Sequence, residues 1–97
     1  MGKPDKKDKW LWVVVQDPGG NEQFLGQYDK EKDESFIPAF LEKENAQQGM
    51  LHLALEKGKK YEVQAVEYNE LLENLAKNGF VLYVLEENGE IMDRIKP

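Results

Sequence analysis

The sequence predicts an α+β domain, built as a single mixed β-sheet of about six strands with two helices, in the order β-β-β-α-β-α-β-β. Three observations carry this prediction. Apolar runs with a period of two stand at both ends of the chain, two segments in the middle have helical spacing with a strand between them, and glycine-rich turns punctuate the series. Strand–helix–strand connections imply a parallel segment, and the terminal hairpins add antiparallel strands.

The first strand, "WLWVVV" at residues 10–15, is apolar on both alternating faces, as in a strand inside a sheet. The segment Asp17-Pro18-Gly19-Gly20 follows it and allows two interpretations. A phosphate-binding loop needs a helix after its glycines, but residues 21–28 alternate with a period of two and no Gly-Lys-Ser/Thr follows. Aspartate, proline and glycine in this order suit a tight turn, so we predict a hairpin and a second strand.

Residues 35–41, "SFIPAFL", predict the third strand, in which Pro38 indicates an edge position or an unpaired N–H position. Residues 42–55 change to helical spacing, with Gly49 inside the helix as a point of close packing on the sheet. Gly58 is expected to close this helix in the left-handed conformation. The helical stripe consists of Ala46, Met50, Leu53 and Ala54.

Residues 61–68 alternate again and predict a strand, after which Asn69 is expected to cap the second helix. Gly79 should close this helix. Residues 80–85, "FVLYVL", predict a central strand, and Asn88-Gly89 predicts a hairpin to a peripheral last strand. The apolar stripe of the second helix consists of Leu71, Leu72, Leu75 and Ala76, and the last strand carries Ile91, Met92 and Ile95.

Composition bounds the organisation and the partners. Residues 1–9 are too polar to join a core and predict a flexible tail, so residues 10–97 form the single domain. A net charge of −6 argues against nucleic acid as a partner, because affinity for phosphate comes from clustered Lys and Arg. The chain has no cysteine and no apolar run long enough for a membrane span. We therefore expect a cytoplasmic domain without membrane contact.

Catalytic and metal-binding candidates are few. Ser35 and His52 are the only serine and histidine, and no orienting partner is evident for the pair. Residues 29–33 alternate acidic side chains as a calcium loop does, but the required glycine and final glutamate are absent. Four glutamates, which we expect at exposed helix ends, complete the set: Glu42, Glu44, Glu67 and Glu70. We therefore predict no catalytic residues, no cofactor and no metal ion.

Aromatic side chains concentrate in the first three predicted strands. Core packing explains most of them, since each buries a large apolar area. A sheet with two helices leaves part of one face uncovered, so Trp10 and Trp12, with Tyr28 beside them across the hairpin, are candidates for an exposed protein-binding patch. Exposed edge strands are a second candidate, since an edge can accept a peptide strand.

The middle and end of the chain, residues 36–91, resemble the N-terminal domain of the SseB (enhanced serine sensitivity) protein family. The resemblance rests first on a strand that ends in an apolar-Pro-x-Phe pattern, at Ile37, Pro38 and Phe40, and is followed by a helix that begins with acidic residues. It rests also on a second set of matching residues, in the short second helix and the strand after it. That set comprises Leu71, Leu72, Leu75, Gly79, Val81 and Leu82. The resemblance implies a small α/β domain with no established catalytic residues.

These observations favour a non-enzymatic domain that acts through protein–protein contact, with a protein partner or with a second copy of itself, as an adaptor or regulatory module. The alternative is a small-ligand-binding or enzymatic domain. Its carboxylates and aromatic residues would line a pocket at the carboxyl ends of the parallel strands.

Overall fold

The fold is an open mixed sheet with two α-helices, seen in a computed structural model that describes residues 10–97. The predicted tail, residues 1–9, lies outside the described residues. The elements are β1 (Trp10–Gln16), β2 (Gln23–Phe24), β3 (Gln27–Asp29), β4 (Glu34–Phe40), α1 (Lys43–Gly49) with a 3-10 turn (Met50–His52), β5 (Tyr61–Glu67), α2 (Tyr68–Asn78), β6 (Val81–Leu85) and β7 (Ile91–Ile95). The predicted α+β class is confirmed.

Strand β1 lies inside the sheet, as its apolar faces predict. Along one flank it pairs antiparallel with β5 over its full length, from Trp10 opposite Glu67 to Gln16 opposite Tyr61. Along the other flank it pairs antiparallel with β2 and with the end of β4. Strand β4 then pairs in parallel with β6, and β6 pairs antiparallel with β7. The long strands therefore follow the order β5-β1-β4-β6-β7, with β4, β5 and β6 running in the same direction.

The strand count is seven because the predicted second strand divides in two. β2 pairs with the carboxyl end of β1, whereas β3 pairs with the amino end of β4. The chain changes partner at Leu25 and Gly26, where the Leu25 N–H donates to the Val14 carbonyl at 2.8 Å. Residues 23–29 thus form a wedge between β1 and β4, which pair directly only at the other end of the sheet.

The predicted hairpin after β1 is confirmed, so the glycines there are structural. The Gly20 N–H donates to the Asp17 carbonyl at 3.1 Å, and Gly19 has a φ of +83°.

Pro38 lies in an internal strand rather than at an edge. On one flank, β4 pairs with β3 up to Phe36 and with β1 from Ala39 onward. Pro38 lies in the gap between these two pairings, where the sheet needs no backbone N–H from it.

The first helix is shorter than predicted. It ends at Gly49, a 3-10 turn closes it by His52, and Leu53 is already extended. Gly58, with a φ of +84°, lies in the turn before β5 and does not close the helix. Gly49 permits close packing: a Cβ built there would lie 2.2 Å from Cε2 of Phe40. The ring of Phe40 therefore occupies the space that a side chain at residue 49 would need.

The second helix starts one residue after Glu67, so the expected cap at Asn69 is wrong. The Glu67 side chain accepts a hydrogen bond from the Glu70 N–H at 3.3 Å and thereby caps the helix. Gly79 closes it in the left-handed conformation, with a φ of +74°, as predicted.

The hairpin between β6 and β7 is also confirmed, with the Gly89 N–H donating to the Glu86 carbonyl at 2.8 Å.

Two apolar layers form the core, one on each face of the sheet. Helix α2 covers the first face through Leu71 and Leu75. Helix α1 covers the second face through Ala46, next to Phe40 and Tyr83. All five residues of β6 are buried, which confirms its predicted central position.

Candidate functional site

The three aromatic residues predicted to form a binding patch do not come together. Trp12 is half-buried and packs on the core layer that contains Phe40, whereas Trp10 is 60% exposed. Tyr28 is 55% exposed and pairs with Ser35, five residues before Phe40 in β4. At about 3.3 Å per residue, Tyr28 lies roughly 17 Å along β4 from the end that holds Trp12. A protein-binding role for these side chains stays a prediction.

Strand β5 offers a different kind of surface, because it lies at one edge of the sheet. All seven of its residues pair with β1, and within the described residues it has no second strand partner. The sequence did not indicate this position, since the alternation at residues 61–67 fits an edge strand and an internal strand equally well.

The register of β5 shows which backbone groups face outward. The Asp17 N–H donates to the Lys60 carbonyl at 3.0 Å, which extends the β1–β5 ladder by one pair. In an antiparallel ladder, every second pair of residues exchanges hydrogen bonds. Counting from Lys60, three residues direct their N–H and C=O groups toward β1: Glu62, Gln64 and Val66. The backbone groups of the alternate residues point away from β1: Tyr61, Val63, Ala65 and the N–H of Glu67.

The other edge of the sheet, β7, carries features that discourage strand pairing. A bulge interrupts its register with β6 between Val84 and Leu85. Asp93 and Arg94 lie within it, and a lysine and a proline follow it. Charges, bulges and proline are the usual means of blocking an edge. Strand β5 carries two glutamates, Glu62 and Glu67, but it has an unbroken register and no lysine, arginine or proline in its seven residues. It is the edge that remains open to a further strand.

The two faces of β5 present different chemistry. Val63 packs with the core layer under α1, and Ala65, half-buried, lies on the same face. On the opposite face, Gln64 lines a groove of about 580 Å³ between α2 and the β1–β2 hairpin. Other carboxamides line it as well, from Gln16, Gln23, Asn74 and Asn78, together with the rings of Phe24 and Phe80. A strand added beside β5 would therefore have Val63 and Ala65 next to it on one face, and Glu62 and Gln64 on the other.

A polar cluster ties four strands together on the α1 side of the sheet. The buried Tyr83 hydroxyl lies 2.9 Å from Oδ2 of Asp29 and 2.5 Å from Oε2 of Glu34, so the two carboxylates share its single proton. Its ring stacks on Phe36 with centroids 4.1 Å apart. Hydrogen bonds from Arg94 and then from Tyr83 lower the pKa of Glu34 to about 2. The Tyr83 hydrogen bond also lowers the pKa of Asp29, while burial raises that of Tyr83. The sequence did not indicate this cluster, because Tyr83 and Arg94 are far along the chain from Asp29 and Glu34.

The hydrogen bonds of this cluster stabilise the fold. Every acidic member accepts a hydrogen bond, and burial with two anionic neighbours holds Tyr83 in its neutral form. Asp29 also accepts from the N–H groups of Glu31 and Lys32, so it caps the turn that the sequence presented as a possible calcium loop. Within residues 10–97, no three His, Asp or Glu side chains are placed to hold a metal ion.

The other catalytic candidates are also dispersed. Ser35 lies in β4 opposite Tyr28, His52 is exposed at the end of the 3-10 turn, and no hydrogen bond joins the two in the described part of the chain. The four glutamates stand at helix N-termini, where carboxylates complement the helix dipole.

A small apolar pocket lies where the parallel strands end. Leu41 follows β4, Tyr68 follows β5, and Val84 is near the end of β6; together with residues of β1 and β7 they enclose about 260 Å³. The remaining lining residues are Leu11, Met92, Asp93 and Ile95. This is the place at which the alternative hypothesis expected a concave site, although its only carboxylate is that of Asp93.

Comparisons with protein-family models, with curated proteins and with solved structures find no match for this chain. Among residues 10–97, no helix is long and apolar enough to cross a membrane.

Proposed function

We propose that this domain is a protein-binding module that takes up an extended segment of a partner as an additional strand beside β5. The observation that carries the proposal is the contrast between the two edges of the sheet. β5 is seven residues long and regular in register, with Glu62 and Glu67 as its charged residues, while β7 is bulged, carries Asp93 and Arg94, and is followed by a lysine and a proline. Addition of a strand to an open edge gives affinity through main-chain hydrogen bonds and selectivity through alternate side chains.

The side chains of β5 set the preference of the site. A strand placed beside it would put every second residue next to Val63 and Ala65, and the intervening residues next to Glu62 and Gln64. We expect ligands with β-branched or small apolar residues at alternate positions and polar residues between them. The resemblance to the SseB family is consistent with a non-catalytic domain but identifies no partner.

Selection from a displayed library of random peptides tests the proposal, with the protein kept dilute. Two substitutions at one position form the comparison: Ala65→Pro removes an outward N–H, whereas Ala65→Val keeps it. A proline is tolerated where the N–H faces solvent, so the variant should fold. We expect alternating peptides that bind the wild type and Ala65→Val and lose at least tenfold in affinity for Ala65→Pro. Peptides that bind all three proteins equally would refute the site.

A second candidate function comes from the apolar pocket at the carboxyl ends of β4 and β6. Its lining fits a small apolar ligand, with Tyr68 as a polar contact at the rim. Ligand-observed NMR with a fragment library tests it, comparing the wild type with Leu41→Arg. Residue 41 is 42% exposed, so the substitution should fold while it fills the pocket mouth. Fragments that bind only the wild type would support this site, and their absence would remove it.

A further inference from the structure

We infer that the segment that β5 accepts is β5 of a second copy of this chain, paired antiparallel about a two-fold axis. This inference rests on the proposed function, since it names the partner of the same edge. A two-fold contact requires a surface that is complementary to itself. The sequence of charges along and around β5 has this property.

The backbone of β5 fits such a pair. With Gln64 opposite Gln64 of the second copy, Val63 lies opposite Ala65 and Tyr61 lies opposite Glu67. These are the residues whose backbone groups point away from β1, so the outward N–H and C=O groups of the two copies face each other. On the face toward α1, a valine then meets an alanine on each side of the axis, without a charge between them.

The charges at the two ends of β5 have opposite signs. Lys60 precedes the strand, next to Lys59, whose ammonium already lies 3.8 Å from Glu56 and 4.0 Å from Asp17. Glu67 ends the strand, and Glu70 follows in the first turn of α2. Antiparallel pairing brings the basic end of one copy to the acidic end of the other, twice in the dimer. Parallel pairing would bring like charges together. The charge pattern therefore selects the antiparallel arrangement.

The arrangement also limits the assembly to two copies. Joining two β5 edges produces one continuous sheet whose outer strands are the two copies of β7. Those strands carry the bulge and the charged residues described above, so further edge-to-edge growth is blocked. A closed dimer results, rather than a fibre.

The dimer is expected to be weak. An edge-to-edge contact buries less than the ~1,200–2,000 Å² of a stable interface, and each copy carries a net charge of −6. At ~0.15 M ionic strength the screening length is ~8 Å. Salt therefore weakens the repulsion between the distant charges of the two copies more than it weakens the attraction between neighbouring charges at the strand ends.

Sedimentation equilibrium over protein concentrations from about 1 μM to about 1 mM measures this association. We expect the average mass to rise toward twice that of the monomer, and Ala65→Val to behave as the wild type does. Ala65→Pro should raise the dissociation constant at least tenfold. Circular dichroism and thermal unfolding establish that each variant is folded before its mass is interpreted.

Charge reversal then tests the antiparallel register. Lys60→Glu alone places a new carboxylate toward Glu67 and Glu70 of the second copy, and Glu70→Lys alone places a new ammonium toward its Lys60, so each should weaken self-association about three- to tenfold. An equimolar mixture of the two variants restores both attractive contacts. We therefore expect heterodimers in the mixture at concentrations where each variant alone is monomeric.

The outcomes separate the two proposals. A protein that stays monomeric at every concentration, yet binds selected peptides in a manner lost in Ala65→Pro, refutes the self-pairing and leaves the proposed function standing. Self-association that Ala65→Pro does not change places the contact elsewhere and refutes the self-pairing. Failure of both self-association and peptide binding refutes both proposals.

Discussion

Arg94 in β7 holds the carboxylate of Glu34 in β4 through two hydrogen bonds that pass over the intervening strand β6. Its Nε donates at 2.8 Å and its Nη2 at 2.5 Å. The Glu34 side chain is only 16% exposed, and a two-point ion pair of this kind has more directional preference than a single surface contact. The pair joins two strands that do not touch each other in the sheet.

The stability of the protein should therefore depend on pH in the acid range. The pKa of Glu34 is about 2 in the folded protein, against 4.5 without the partners. Because the folded value is lower, the carboxylate contributes its full stabilisation above about pH 4.5 and loses it as the pH falls toward about 2. Urea unfolding across this range should show a shallower pH dependence for Glu34→Gln than for the wild type.

A control removes a carboxylate outside the cluster, for which Glu87→Gln in the β6–β7 turn is suitable. It should retain the acid dependence of the wild type, since it takes away none of the hydrogen bonds of Glu34. Equal slopes for the wild type and Glu34→Gln would contradict the assignment.

Removing the Tyr83 hydroxyl should destabilise the fold. Tyr83→Phe keeps the stack on Phe36 but deprives Asp29 and Glu34 of a shared donor, and hydrogen bonds to charged groups contribute about 1.5–3 kcal/mol. We expect a loss of this order in the free energy of unfolding. Tyr28→Phe is the matched control: that hydroxyl donates to Asp33 on the surface, so its removal should cost much less than removal of the Tyr83 hydroxyl. Similar losses for the two variants would refute the distinction.

Gly49→Ala should destabilise the protein although it improves helix propensity. Alanine favours a helix interior by up to about 1 kcal/mol, but the new Cβ would lie 2.2 Å from the ring of Phe40. Overpacking of this kind typically costs about 1–3 kcal/mol, so the balance is a net loss. Chemical denaturation measures it, with Gln48→Ala, exposed in the same helix, as the control. A more stable Gly49→Ala would show that the Phe40 ring moves without cost.

The two tryptophans should report different environments. In Trp10→Phe the remaining emission comes from the half-buried Trp12, and it should be blue-shifted and weakly quenched by acrylamide. In Trp12→Phe it comes from Trp10, which is 60% exposed, and it should be red-shifted and readily quenched. Acrylamide is preferred to iodide because the Lys43 ammonium lies 5.9 Å from the Trp12 ring and would attract an anion. Identical emission from both variants would contradict these placements.

The sequence predicts most of the elements because each depends on local information. Alternation places β1 and β6, and glycines at Gly19, Gly79 and Gly89 adopt the positive φ that their turns require. Element ends are less predictable. The helix that begins at Lys43 stops at Gly49 although helical spacing continues to Ala54; the backbone of Ala54 instead forms two hydrogen bonds with the Gln27 carboxamide.

The candidate site depends on strand order, which local patterns do not contain. β5 and an internal strand could share the same alternation, and only the pairing with β1 shows that one flank of β5 is open. Likewise, Glu34 and Arg94 become neighbours through the parallel pairing of β4 with β6. The predicted aromatic patch fails to assemble for the same reason, since the strand that holds Tyr28 pairs with β4 and not with β1.

The internal position of β1 has a consequence during protein synthesis. β1 ends at Gln16, whereas its longest partner, β5, begins at Tyr61. At about 5–20 residues per second, a ribosome needs several seconds to produce the segment between them. Throughout that time the nascent chain carries a "WLWVVV" strand without its main partner. A chaperone that shields this strand until β5 emerges would therefore raise the yield of folded protein.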